Sequence, residues 1–182
     1  GAGKEELQVI QRQIDSGLNC PYTSAGGRLF DAVSALLGVC TQVSYEGQAA
    51  VELEMQASES ANWQTCESAI SGIESSVAYP FDLDGAVIRL RPLFEALLAD
   101  RERGATVAEM AWRFHVTVAE MIRALCERIA AETGLRTAAL SGGCFQNRLL
   151  LALAVPRLEA AGLRVLLHRQ VPCNDGGVSL GQ

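Results

Sequence analysis

The chain has 182 residues, of which 49% are apolar and 20% charged, with a formal net charge of −6. That composition fits one globular domain, or one lobe of a larger one, and excludes wholesale disorder. The acidic balance speaks against nucleic-acid backbone binding, and no apolar run reaches the roughly 18 residues of a membrane helix.

Helical spacing of Leu7, Ile10 and Ile14 predicts a first helix from Lys4 to about Asp15, stopped at Gly17. A polar loop with Pro21 leads to Gly26-Gly27, and a second helix is expected from Arg28 to Leu37, ending at Gly38. A third is expected from about Gln48 to Ala57, and residues 58–72 read as a polar surface loop or short helix. Val77–Phe81 and Ala86–Leu90 read as the strands of a hairpin, with Asp82-Leu83-Asp84-Gly85 as its turn. Pro92 suits the first position of a helix running to Arg103. Thr106 and Glu109 form a capping-box pattern for the next helix, which runs to Thr133 before Gly134. Thr117 and Glu120 repeat that pattern, so a break near residues 115–117 is expected.

The last third alternates. Thr137–Leu140 reads as a strand, Ser141-Gly142-Gly143 as a tight turn, Asn147–Ala161 as a helix bent at Pro156, and Leu163–Leu167 as a parallel strand. This is a βαβ unit with a glycine turn at the carboxyl end of its first strand, where open α/β sheets bind ligands. The fold class is therefore α/β.

The motifs allow specific chemistry. Ser141-Gly142-Gly143 lets a ligand approach the backbone closely, but it has neither the lysine of a Walker loop nor the spacing of a dinucleotide fingerprint. Asn147 either bonds a ligand over that loop or ties the turn down. Asp175, in Asn174-Asp175-Gly176-Gly177, suits an oxygen-liganded cation, or is an ordinary Asp-Gly turn. Asp31 sits among apolar neighbours and needs a partner: Arg28, a helix end or a ligand hydroxyl. Glu46 and Glu52 flank Gly47-Gln48, and His115 and His168 read as structural rather than ligating. The cysteines at 20, 40, 66, 126, 144 and 173 form no CxxC pair, so they read as reduced thiols of a cytoplasmic protein rather than a zinc or redox motif.

Five segments in order carry a resemblance: Cys20–Ser24, Gly27–Val33, Tyr45–Ala50, Leu140–Arg148 and Val171–Gln182. Together they resemble the C-terminal part of the HypF-type carbamoyltransferases of nickel–iron hydrogenase maturation, from about Ser16 to Gln182. A more distant similarity runs to the tRNA threonylcarbamoyl-transfer family. The resemblance implies an actin/sugar-kinase-like (ASKHA) lobe, a piece of a larger protein spanning residues 1–182, with a helix expected beyond Gln182. It implies ATP and carbamoyl phosphate as sources of a carbamoyl-adenylate. It also implies a divalent metal and a HypE-type partner whose C-terminal cysteine receives the carbamoyl group.

Carried over by position, Asp31 and Glu52 match ribose-side acids, and Gly47 and Gln48 match a loop packing on the nucleoside. Gly142, Gly143 and Asn147 match the nucleotide loop, and Asp175 matches a metal ligand. The family's HxxxH metal ligands and adenylate-forming domain match nothing in this chain, so alone it is expected to be inactive and to hold metal weakly. Cys144 and Cys173 depart from the family pattern beside the expected site. The competing expectation is a nucleotide-binding or docking module without transfer activity.

Overall fold

The computed structural model describes residues 3–60 and 78–180. The expected loop or short helix at 58–72 lies, beyond its first residues, outside the described residues, as do Cys66 and Val77. Six helices are present among the described residues: α1 (Lys4–Ser16), α2 (Gly26–Leu36), α3 (Gln48–Ser60), α4 (Arg91–Glu102), α5 (Val107–Thr133) and α6 (Arg148–Ala160). Four short strands accompany them: β1 (Asp82–Asp84), β2 (Val87–Arg89), β3 (Thr137–Leu140) and β4 (Arg164–Leu167).

The 27-residue helix α5 organises the molecule. It packs on α3, α4 and α6, while α2 packs on α3. Its start is fixed locally: the Glu109 amide donates to Thr106 Oγ1 at 3.2 Å, and the Thr106 amide donates back to Glu109 Oε2 at 2.9 Å. The expected break at 115–117 does not occur. Thr117 donates instead to the Arg113 carbonyl at 2.7 Å and accepts the Tyr79 amide at 2.7 Å, so its hydroxyl serves packing rather than a cap. Glu120 is likewise diverted, to Arg123 and to Arg157 of α6, both at 2.8 Å.

The hairpin is shifted from its expected place. Asp82-Leu83-Asp84 is strand rather than turn, pairing antiparallel with Val87-Ile88-Arg89. The turn is the shorter Gly85-Ala86, with Gly85 at φ 62°, because a two-residue link needs the left-handed geometry glycine supplies. Arg89 and Asp84 then close the hairpin with an ion pair at 2.6 Å. Residues 78–81 precede the strand, and Tyr79 among them is buried, its hydroxyl donating to Asp100 Oδ2 at 2.9 Å.

The βαβ unit is formed as read. β3 and β4 pair in parallel from Thr137–Arg164 to Leu140–Leu167. Pro156 sits inside α6 without ending it. The aliphatic core is centred on Leu53, Leu93, Leu97, Leu149, Leu150 and Leu153, all 0–1% exposed. Two aromatics meet within it: Phe30 contacts Phe114 edge-on at 5.0 Å, and both rings face His115. α1 is different. It has no buried residue, and Leu7, Ile10 and Ile14 stand in solvent.

Candidate functional site

The end of β3 delivers the chain into a turn that only glycine makes easily. Gly142 has φ 109°, outside the range other residues adopt without strain. Its amide donates to the Cys173 carbonyl at 2.7 Å, tying this turn to the loop that carries Asn174 and Asp175. A 3₁₀ turn, Gly143–Gln146, follows and separates the glycine turn from the helix. Asn147 then caps α6, its Oδ1 accepting the Leu150 amide at 2.7 Å.

Asn147 is held in turn by His115. The imidazole Nδ1 lies 2.8 Å from the Ala111 carbonyl, which can only accept, so Nδ1 carries the proton. Nε2 is therefore an acceptor, and Asn147 Nδ2 donates to it at 3.0 Å. His115 is fully buried, and that burial pushes its pKa down to about 4, against the weaker opposing pull of the Ala111 carbonyl. It is a neutral strut.

Facing this turn is the start of α3. Gly47, at φ 82°, opens the helix. Gln48 ties back the preceding turn: its Oε1 accepts the Ser44 amide at 2.7 Å, and its Nε2 donates to Glu52 at 2.7 Å. Between the two glycine turns lies a cleft of about 130 Å³, lined by Gly47, Glu54, Gly143, Cys144 and Asn147 among others. No Cβ interrupts its walls at Gly47 or Gly143, and open space surrounds both positions.

The expected site residues divide. Gly47, Gly143 and Asn147 meet in this cleft. Gly142 makes the turn just before Gly143 and is not in the cleft lining. Asp31 lies beside it, paired with Arg28 at 2.8 Å, and after burial its charge is the main influence raising the Cys144 thiol pKa. Glu52 is not in the cleft. It is half a helical turn away from the Gly47–Val51–Glu54 face and lines a separate recess with Leu37, Met55 and Val107. Its carboxylate holds Gln48; burial first, then the Glu52 carboxylate and more weakly Asp31, push the Cys40 thiol pKa up. Gln48 holds the turn and is not in the cleft lining.

Asp175 is exposed at the start of a 3₁₀ turn, Asp175–Leu180. The turn before it is tight: the Asn174 side chain accepts the Gly176 amide at 3.1 Å, and a Cβ on Gly177 would stand 2.7 Å from the Pro172 carbonyl oxygen. Among the described residues no group of three or more His, Cys, Asp or Glu side chains gathers as a metal site. The residues present thus do not assemble a donor set for a divalent ion, and Asp175 would supply one ligand of it. His168, at the end of β4, pairs with Ser141 at 2.9 Å rather than with Asp175.

One residue escaped the sequence reading. Glu54 Oε1 accepts the amides of Arg148 at 2.8 Å and Leu149 at 3.1 Å, across 94 positions of chain. The signal was faint: Gly47, Ala50, Val51 and Glu54 follow the i, i+3, i+4, i+7 spacing of one helix face.

The family model for the second subdomain of the carbamoyltransferase, Kae1-like domain matches residues 2–182. A carbamoyltransferase HypF homolog of Cupriavidus necator is 40% identical, over 99% of this chain and 44% of its own length. Carbamoyltransferase HypF of Synechocystis is 34% identical, over 94% of this chain and 20% of its own. A tRNA N6-adenosine threonylcarbamoyltransferase of Corynebacterium aurimucosum is 29% identical, over 96% of this chain and 49% of its own. Among solved structures, full-length HypF in a phosphate- and nucleotide-bound form superposes with a TM-score of 0.84 at 37% identity, covering 99% of this chain and 27% of that one. HypF of T. kodakarensis superposes with a TM-score of 0.80 at 30% identity, covering 99% and 22%.

The fold is thus an α/β lobe of the actin/sugar-kinase-like (ASKHA) transferase type. The chain belongs to the carbamoyltransferase Kae1-like domain family, as its second subdomain, and spans less than half the length of these HypF relatives.

Proposed function

We propose that this lobe forms one wall of the nucleotide and carbamoyl-adenylate site of a HypF-type carbamoyltransferase. The protein would use ATP and carbamoyl phosphate and pass the carbamoyl group to the C-terminal cysteine of a HypE-type partner, on the way to the cyanide ligand of a nickel–iron hydrogenase. The observation that carries this reading is the pair of side-chain-free turns, Gly47 and Gly143, facing one another across a cleft at the carboxyl end of β3. The cleft, at about 130 Å³, is smaller than the roughly 300 Å³ at which ligand pockets begin, which supports a wall rather than an enclosure. The family membership supports the transfer chemistry, and the nucleotide-bound HypF neighbour supports a nucleotide.

In this reading the peptide faces at Gly47 and Gly143 pack on the nucleoside, and Asp31 accepts hydrogen bonds from sugar hydroxyls. Gln48 and Glu52 keep the Gly47 turn in place. Catalysis by such a wall is positioning: it fixes the adenylate so that the acyl carbon meets the incoming thiolate. A divalent metal would lend charge stabilisation to the phosphate; of the described residues Asp175 is its proposed ligand, with the rest of the donor set not assembled here. The thiols described here are unpaired, in keeping with a cytoplasmic setting.

The test is calorimetric binding of ATP to the intact protein and its Asp31→Ala variant. A hydrogen bond to a charged group contributes about 1.5–3 kcal/mol, so the variant should bind roughly 10- to 100-fold more weakly. Equal affinity removes Asp31 from the site.

A further inference from the structure

The amino end of α6 borders the cleft, and its backbone donors are all taken. A helix leaves its first N–H groups without intrahelical partners, and these groups with the helix dipole draw anions. Here Arg148 and Leu149 donate to Glu54, and Leu150 donates to Asn147 Oδ1. The Leu151 amide reaches the Asn147 carbonyl at 3.1 Å. The anion at this helix end is a carboxylate of the chain itself, arriving from α3. Glu54 is half-buried and also lines the cleft, with Glu46 at its rim. Asn147 has one N–H left after serving His115 and α6, and its Oδ1 is committed. What the cleft offers a ligand is therefore two bare glycine backbones, the carboxylate oxygens of Glu46 and Glu54, the exposed Gln146 carboxamide and the remaining Asn147 N–H, with no cationic side chain in its lining. That surface suits a donor-bearing, uncharged group and repels a phosphate.

We propose that Glu54 is a specificity-determining residue: by filling the amino end of α6 with a fixed carboxylate, it admits the sugar end of a nucleotide to the Gly47–Gly143 cleft and turns the phosphates outward, away from α6. This rests on the nucleotide reading and sharpens it. The glycine turn before a helix looks like a phosphate cradle in sequence, but its helix end is already neutralised from within.

The two oxygen contacts of Glu54 both run through Oε1, which separates charge from structure. Glu54→Gln keeps that acceptor and loses the charge, while Glu54→Ala frees both amides. The experiment titrates adenosine, AMP and inorganic phosphate separately into the ¹⁵N-labelled intact protein and both variants, following the amides of Gly47, Gly143, Arg148 and Leu149. In the parent, adenosine should move Gly47 and Gly143, and phosphate should leave Arg148 and Leu149 unmoved. In Glu54→Ala, phosphate should move both amides saturably. In Glu54→Gln, the ratio of AMP to adenosine affinity should rise on the order of threefold to tenfold, because loss of the like charge lets the phosphate approach the end of α6 that the carboxylate had closed to it. This arm decides the matter if the alanine variant does not fold. Phosphate moving Arg148 and Leu149 in the parent, or an unchanged ratio in Glu54→Gln, overturns the role of Glu54. Failure of adenosine to move Gly47 and Gly143 in the parent overturns the nucleotide reading instead, and the phosphate titration still decides Glu54.

Discussion

His115 is the residue on which the cleft turn leans. Its ring, buried against Phe30 and Phe114, bridges the Ala111 carbonyl of α5 to Asn147 at the start of α6. A base whose pKa falls from 6.5 unfolded to about 4 folded binds fewer protons in the native state as pH drops. Its contribution to stability is therefore full above pH 6.5, is lost as pH falls from there, and stops changing below about 4. Between pH 7 and 5 the parent should lose about 2 kcal/mol through this residue, read from urea midpoints. His115→Gln, which can still accept from Asn147, should flatten that slope, and an unchanged slope would mean the imidazole is not held neutral. Asn147→Ala removes a helix cap and strands Nε2, so it should lower stability by about 2 kcal/mol at pH 7 in the same measurement. The sequence offered Asn147 two roles, ligand contact or turn tie. The tie was the one visible in the structure, because a buried histidine 32 positions away fixes the amide, a relation no local pattern records.

At the scale of elements, α5 and α6 are joined by a charged pair as well as by leucines. Burial pushes the Glu120 carboxyl up, but hydrogen bonds from Arg123 and Arg157 outweigh it and hold the group below its usual range. Arg157→Met removes one of two cations from a nearly buried carboxylate, and it should cost about 3 kcal/mol by denaturant unfolding. A loss below about 1 kcal/mol would mean Arg123 alone satisfies Glu120. Elements with local signals were legible: the capping box of α5, the Gly134 stop and the βαβ alternation all lie within a few residues of what they control. The hairpin was misplaced because Asp-Leu-Asp-Gly carries turn residues in its strand half, and the pairing with Val87–Arg89 decides its register. The capping pattern at Thr117 misled because tertiary partners, Tyr79 and Arg157, claim both of its members.

Across the whole molecule the uneven distribution of apolar surface is the main feature. α1 shows Leu7, Ile10 and Ile14 to solvent, and an apolar groove of about 650 Å³ runs between the start of α2, the hairpin, α4 and α5. Side chains left about half exposed contribute little to holding this lobe together, so the double variant Ile10→Ser, Ile14→Ser should leave its melting temperature within about 2 °C of the parent. A larger drop would show α1 to be packed in solution.

The candidate site shows the same mixture. Gly47, Gly143 and Asn147 line one cleft, while Glu52 looks into another recess because it lies off the Gly47 face of α3. The measurement that bears most directly on the account is a crystal structure of the intact protein with a bound adenine nucleotide. The account predicts the nucleoside against Gly47 and Gly143, a sugar hydroxyl within hydrogen-bond reach of Asp31, and the phosphates clear of Arg148 and Leu149. A nucleoside bound away from the Gly47–Gly143 cleft would contradict it.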